Sequence, residues 1–300
     1  MSVPPWAPEV EVGLDLAGRL IGAQFPKLAD APIRFLAAGF DNTVFAVDDR
    51  WAFRFPRRAV AVPGVERELV ILPAIAARLG PAVPAPTHVG RPTDAFAWPW
   101  FGAPLLPGRE PTTALDDAAR ATLAPQLGRR LRTLHRAPAP ADLPHDPMGR
   151  ADMAQRVPFT TEQLVELAAA GLPDRRHAAA PILAAAGGLA PSVRRALVHG
   201  DLHFRHLLVA PDGTLTGVID WGDVCTGDPA MDLQVAWSLL PPGARPAFWE
   251  AYGPIEPDQA LRARVVALYL SAVLARYGEA EGMPGVRDEA IAALERTLVD

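Results

Sequence analysis

The segment VHGDLHFRHLLV, residues 198–209, places three of the chain's seven histidines and one aspartate within eight residues. His199, Asp201, His203 and His206 all carry atoms that a metal ion accepts. On a strand, positions 199, 201 and 203 share one face, and an open zinc site needs three such ligands plus water. Gly200 argues against a strand there, because glycine suits a turn. A turn that presents an aspartate suits other chemistry, in which a carboxylate meets a substrate hydroxyl. The two readings imply different enzymes.

A second aspartate decides between them. Val218-Ile219-Asp220-Trp221-Gly222 ends a strand-like run with a carboxylate, an aromatic and a glycine. A loop of the form H-x-D-x-x-x-x-N, then a hairpin, then D-aromatic-G is the layout of phosphoryl transfer in protein kinases. That chemistry needs one carboxylate at the acceptor hydroxyl, a side chain five residues on that reaches a metal ion, and a second carboxylate across the hairpin for the same ion. Here these are Asp201, His206 and Asp220. The cluster therefore reads as a catalytic loop with one metal ligand and not as a four-ligand cage.

These residues need elements to hold them. Residues 10–25 have helical amphipathic spacing. Ile33–Leu36, Thr43–Val47 and Trp51–Phe55 alternate as strands, separated by turn-forming residues at Gly39-Phe40-Asp41-Asn42 and Asp48-Asp49, which predicts an antiparallel meander. Val65–Leu79 reads as a helix that Pro73 should bend. Segments 83–89 and 96–106 read as extended, and Pro107-Gly108 as a turn. Leu115, Leu123, Leu127, Leu131 and Leu134 recur at helical spacing behind Asp116-Asp117, with Pro125 expected to kink that helix. Residues 137–150 read as a linker-like loop. Helices are expected over 151–188, then a strand at 196–198, a hairpin over 207–219 with its turn at Pro211-Asp212-Gly213, and a helix opened by Asp228-Pro229. Alanine- and leucine-rich helices complete the chain.

Bulk composition narrows the class. Three hundred residues suffice for two lobes with a core that needs no crosslinks. A net charge of −5 gives no general attraction to nucleic acid or anionic membrane. From Glu110 onward acidic residues outnumber basic ones 24 to 18, which would favour a cationic ligand in that part of the chain. The single cysteine, Cys225, excludes an internal disulfide and any multi-cysteine metal site. The N-terminal MSVPPWAPEVEV lacks a basic start followed by an apolar run, and no long uncharged apolar stretch reads as a membrane span. The expectation is a cytoplasmic protein, monomer or dimer, with no nucleic acid and no membrane partner.

With these residues in place, the chain resembles the aminoglycoside phosphotransferase family. "HGDLHFRHLLV…GVIDWGDVCTGDPAMDL" is similar to that family's HGDxxxxN, its strand ending IDW or IDF, and the Asp-Pro-x-x-Asp-Leu beyond, here Asp228 to Leu233. "GFDNTVFAVDDRWAFRFPRR" resembles its phosphate-covering hairpin and nucleotide-binding strand, and "VEREL" the helix supplying an acidic partner. The resemblance runs from about Ile33 to Asp232.

The resemblance implies an α+β, two-lobed, protein-kinase-like fold, with a small antiparallel β-sheet N-lobe and a larger, mainly helical C-lobe. The N-lobe would span 1–107, with a connector near 100–108, and the C-lobe 108–300. It implies that Asp201 acts on the acceptor hydroxyl and that Asp220 and His206 hold Mg²⁺ or Mn²⁺. Arg54, steadied by Glu68, would bind the phosphates of ATP or GTP. Gly39, Asn42 and Ile219 would also line the nucleotide, and backbone groups from Ala103 to Leu106 would receive its base. His199 would be structural, Asp232 a buried carboxylate that holds the loop, and His203 and Asp223 weaker substrate contacts.

Two positions depart from the family pattern. Arg54 stands where lysine is usual, and Lys27, the one lysine, precedes the meander. His206 stands where asparagine is usual. The implied activity moves the γ-phosphoryl group to a hydroxyl of a small molecule, an aminoglycoside-type antibiotic or another amine-bearing alcohol, with the acceptor between the loop and the helices of 151–188 and 255–300. A macrolide or housekeeping-metabolite kinase and a nucleotide-binding pseudokinase are the alternatives.

Overall fold

The structure is a computed structural model that describes residues 8–39 and 41–299. Phe40, part of the expected first turn, and the N-terminal residues 1–7 lie outside the described residues. The chain divides into two compact units: residues up to Leu106 together with Ile219–Gly222, and Pro107–Val218 together with the chain from Asp223 onward.

The first unit opens with helix α1 (Leu14–Gln24), shorter than the 10–25 expected, followed by β1 (Ile33–Ala38), β2 (Asn42–Val47) and β3 (Trp51–Pro56). Helix α2 (Val62–Leu79) begins with Pro63 in its first turn and runs through Pro73. Two further strands, β4 (His88–Gly90) and β5 (Trp100–Pro104), complete a five-stranded antiparallel sheet of order β1-β2-β3-β5-β4. Only short parts of the two segments expected to be extended are therefore strand.

The alternation of β3 fixes which residues meet the core. Phe53 and Phe55 are fully buried with Phe45, Phe96 and Trp100, and the rings of Phe55 and Trp100 stack at 4.8 Å. A period of two turns Arg54, between them, to the other face. In α2 the buried positions Val65, Glu68, Leu72 and Ile75 lie at spacings of three and four, so Glu68 sits on the apolar stripe of its helix.

The second unit begins with α3 (Asp117–His135), which is continuous through Pro125 and is N-capped by Asp116, whose carboxylate accepts from the Ala119 N–H at 2.8 Å. Helices α4 (Met153–Ala169) and α5 (Arg176–Ala186) follow. Three-residue strand β6 (Ala196–Val198) leads into the histidine-rich loop. Strands β7 (Leu207–Val209) and β8 (Leu215–Val218) form the expected hairpin. Its turn needs Gly213, which has φ +85° and where a Cβ would meet the Ala119 carbonyl oxygen at 2.0 Å.

Strand β9 (Cys225–Gly227) pairs with β6. Short helices α6 (Ala230–Leu233) and α7 (Val235–Ser238) follow, with Asp228 accepting from the Ala230 N–H at 2.9 Å. Helices α8 (Arg245–Tyr252), α9 (Pro257–Ala280) and α10 (Pro284–Leu298) finish the unit, with α9 packed against α4, α5, α6 and α10. Among the described residues no helix is long and apolar enough to cross a membrane.

Candidate active site

In the first unit a charged cluster forms around Arg54. Its Nη1 donates to Glu68 Oε1 at 2.6 Å and its Nη2 to Asp220 Oδ1 at 3.0 Å. Burial opposes the charge of Arg54, but Glu68 and Asp220 together hold its pKa above the ordinary arginine value. Glu68 has no solvent exposure; burial pushes its carboxyl up to about 7, against the pull of Arg54. The same Glu68 oxygen accepts the main-chain N–H of Trp221 at 2.9 Å.

Asp220 holds φ +61°, a left-handed conformation uncommon outside glycine. The following residue pair is held from α2, where Arg67 donates to the Gly222 carbonyl and Gly64 abuts Gly222 so closely that a Cβ would lie 3.3 Å from its Cα. Arg54 also lies over the Phe101 ring at 5.7 Å.

The other residues expected at the nucleotide occupy the same unit. Gly39 follows β1, and its carbonyl accepts from Arg57 at 2.7 Å. Asn42 opens β2 and is buried. Ala103 lies in β5 opposite Ala52, and Leu106 is half-buried just beyond the strand. The N–H of Leu105, in the expected connector, is taken by the Arg50 carbonyl at 2.8 Å. Ile219 is half-buried beside Asp220.

In the second unit the histidine-rich loop hangs on one buried carboxylate. Asp232 accepts the main-chain N–H groups of His199 at 2.7 Å and Gly200 at 3.0 Å, and lies 3.0 Å from His135 Nε2. Burial raises the carboxyl's pKa, yet the bonds and charges of His135 and His199 outweigh it and hold the group below the usual aspartate value. The other nitrogen of His135 meets the Tyr252 hydroxyl at 2.9 Å. Gly200 is obligatory: its φ is +88°, and a Cβ would meet the Asp223 carbonyl at 2.3 Å. The turn expected from Gly200 is what forms, and His199 is fully buried as part of it.

Asp201 is half-buried at the end of this turn. His206 Nδ1 lies 2.7 Å from the Asp201 main-chain oxygen. A carbonyl only accepts, so Nδ1 bears the proton and Nε2 carries the lone pair that a metal ion needs. His203 is buried and its ring centroid lies 3.8 Å from that of His206, the planes inclined by 31°.

Asp201, His203 and His206 bring ligand atoms within 4.8 Å of one another. An ion sits in the plane of each imidazole that binds it, and two rings stacked this closely with so small an inclination do not share such a point. The arrangement as it stands suits His206 as a single imidazole ligand.

One residue with no local sequence signal joins the loop. Arg150, from the stretch read as a linker, donates to Asp223 Oδ2 at 2.7 Å and lies 3.7 Å from Asp201 Oδ1. Asp223, considered for the substrate, is thus paired within the protein. His135 was also missed, although as residue i+4 from Leu131 it continues the apolar stripe of α3, which was the available signal.

A sheet unit bearing a buried cation–carboxylate pair with an attached aspartate, and a helical unit presenting an aspartate on a clamped turn, define a kinase-like phosphotransferase. Residues 32–265 match the profile of the phosphotransferase enzyme family, and the chain belongs to that family. A 44-residue stretch is 46% identical to the uncharacterized protein YcbJ of Bacillus subtilis (strain 168), a match that covers 15% of this chain and only 14% of that relative's length.

Among solved structures, APH(2")-IIia in its GDP and kanamycin complex is similar with a TM-score of 0.68 at 20% identity, over 94% of this chain and 97% of that one. Macrolide 2'-phosphotransferase MphH from Brachybacterium faecium gives 0.60 at 24% identity over 94% and 97%. The spectinomycin phosphotransferase APH(9)-Ia, solved with ADP and spectinomycin, gives 0.65 at 13% identity over 97% and 100%. At these identities the likenesses show the fold, which is the kinase-like α+β fold expected.

Proposed function

We propose that the protein transfers the γ-phosphoryl group of ATP or GTP to a hydroxyl of a small molecule. The observation that carries this reading is the Arg54 cluster: a buried guanidinium held by Glu68 and hydrogen-bonded to Asp220. Such a guanidinium presents a fixed charge for phosphate oxygens, and arginine's planar fork serves phosphate as well as lysine does, with a wider reach. Asp201 orients the acceptor hydroxyl and takes its proton as the new P–O bond forms. Retention of both Asp201 and Asp220 favours an active enzyme over a pseudokinase.

By the family resemblance, Asp220 and His206 are the residues we assign to a divalent cation, through a carboxylate oxygen and the Nε2 lone pair respectively. Mg²⁺ or Mn²⁺, when bound, would neutralise charge on the nucleotide phosphates. Gly39, Asn42, Ala103, Leu106 and Ile219 are assigned to the nucleotide, and His203 and Asp223 to weaker contacts with the acceptor. The solved relatives are complexes with GDP and kanamycin or with ADP and spectinomycin, and an antibiotic with an accessible hydroxyl is the acceptor class we assign, in a cytoplasmic setting.

Nucleotide turnover measured against a panel of aminoglycosides, spectinomycin, macrolides and choline tests the reading. Asp201→Ala should keep nucleotide affinity while turnover falls roughly 10²-fold or more. Equal turnover by wild type and Asp201→Ala on a true acceptor would sink the mechanism.

A further inference from the structure

Arg150 is built into place before it reaches any carboxylate side chain of the loop. Asp146 Oδ1 accepts the Arg150 main-chain N–H at 2.7 Å and Oδ2 that of Ala151 at 2.9 Å. Asp146 is itself tied to β9, donating its N–H to the Thr226 carbonyl at 2.8 Å. The guanidinium is only 16% exposed, and it meets two carboxylates through one nitrogen, Nη2. Nη1 is buried and has no hydrogen-bond partner. A buried donor without an acceptor is costly, and a charged one more so.

Burial opposes the charge, but Asp201 and Asp223 hold the guanidinium's pKa above its ordinary value, so it remains a cation. One fixed cation therefore stands beside the carboxylate that the proposed reaction uses, with a donor left over.

We propose that Arg150 is a catalytic residue that binds an anionic oxygen of the phosphoryl group as it arrives on the acceptor. This rests on the phosphoryl-transfer reading above. In the step, the acceptor oxygen bonds to the γ-phosphorus while the bond from that phosphorus to the β–γ bridging oxygen breaks. The electron pair leaves with the nucleoside diphosphate, and the acceptor proton passes to Asp201. Arg150 exchanges no proton. It offsets the repulsion between the Asp201 carboxylate and the incoming phosphoryl oxygens, and a small turn of its guanidinium supplies the unused Nη1–H to one of them. Asp223 holds the guanidinium until the anion comes.

Arg150→Ala and Arg150→Lys test this in the full chain, with ATP and GTP as donors and water, kanamycin, spectinomycin and a macrolide as acceptors. In Arg150→Ala, kcat should fall roughly 10²-fold for transfer and for hydrolysis alike, as expected for loss of one charge-stabilising donor. Nucleotide Kd by calorimetry should stay within about twofold, and added free guanidinium should restore at least ~10-fold of the lost rate. Arg150→Lys, which keeps the charge but not the fork, should remain at least ~10-fold slow with its fold intact by circular dichroism.

Wild-type kcat in either folded variant overturns the proposal, as does a loss confined to acceptor KM or a failure of guanidinium rescue in a folded Arg150→Ala. If Arg150→Ala does not fold, the lysine variant decides. A wild-type protein with no nucleotide turnover on any acceptor overturns the phosphoryl-transfer reading as well; wild-type turnover with unaffected Arg150 variants overturns only the role of Arg150.

Discussion

Trp221 donates its main-chain N–H to the fully buried carboxylate of Glu68 at 2.9 Å, across 153 positions of sequence. The oxygen that accepts it is the one that holds Arg54. A single carboxylate thus fixes the Arg54 guanidinium and also the backbone next to Asp220, whose left-handed conformation costs on the order of 1–3 kcal/mol and needs such support. Glu68 is a structural keystone for Asp220 as well as a partner for Arg54.

Removing Glu68 should therefore cost more than one ion pair. Glu68→Ala leaves the buried guanidinium with Asp220 as its remaining carboxylate and strands a buried N–H, and a loss of roughly 3–5 kcal/mol is expected by urea denaturation. The pH dependence follows from the raised carboxyl. Its ordinary value is 4.5 and its folded value about 7. Between the two the folded state binds a proton that the unfolded state has released, so this group's contribution to stability falls as pH rises through that window. Glu68→Gln should lack that fall. Parallel stability curves for wild type and Glu68→Gln from pH 4.5 to 7 would refute the assignment.

Asp232 runs the other way. Held below the ordinary aspartate value of 3.8, it contributes stability that is present above that value and lost as pH falls through the folded value. Asp232→Asn should unfold at lower denaturant than wild type at neutral pH, and the gap should narrow as the solution is acidified below about pH 4. Amide exchange at His199 and Gly200 should quicken in the variant, since both N–H groups lose the carboxylate that accepts them. Unchanged exchange there would mean the loop does not depend on this clamp.

The meander, the β7–β8 hairpin and the loop at Gly200 were legible because each is specified locally, by alternation of Phe53 and Phe55 about Arg54 or by a glycine that only a left-handed turn requires. Glu68 was legible by resemblance, and its place on the stripe with Val65 and Leu72 gives the physical reason. Other features were not local. Strand β9 is three residues long and exists because β6 lies beside it, so no window around Cys225 announces it. Arg150 sits among prolines and polar residues that read as linker, and its role depends on Asp146 and Asp223, the latter 73 positions away. Pro73 and Pro125 lie inside helices that continue through them, where tertiary packing outweighs the lost hydrogen bond.

Cys225 should be chemically silent. It has no solvent exposure, and burial together with the charges of Asp232 and Asp146 pushes its thiol up to about 12. The thiolate is the reactive form, so a neutral disulfide reagent at pH 8 should modify the folded protein negligibly over hours and the urea-unfolded protein within minutes. Rapid labelling of the native protein would show that the β6–β9 pair opens readily. Because the thiol supplies no chemistry, Cys225→Ser should retain activity, with a stability loss from placing a hydroxyl at a buried position.

His206 allows the sharpest test of the metal assignment. Its Nδ1–H is committed to the Asp201 carbonyl, which orients the ring, and Nε2 is the atom proposed for the metal. An imidazole in place of an amide oxygen exchanges a hard donor for a softer one. Mg²⁺ prefers all-oxygen octahedra, whereas Mn²⁺ accepts nitrogen more readily. Mn²⁺ should therefore support turnover at least as well as Mg²⁺ in the wild type. His206→Asn restores an oxygen donor, and the Mn²⁺/Mg²⁺ ratio of kcat/KM should drop in favour of Mg²⁺. Binding of Mn²⁺ to the nucleotide complex, followed by electron paramagnetic resonance, gives a readout independent of turnover and should weaken in the asparagine variant. If both the ratio and the Mn²⁺ affinity are the same in the two proteins, His206 does not ligate the ion, and its bond to Asp201 serves only to hold the loop.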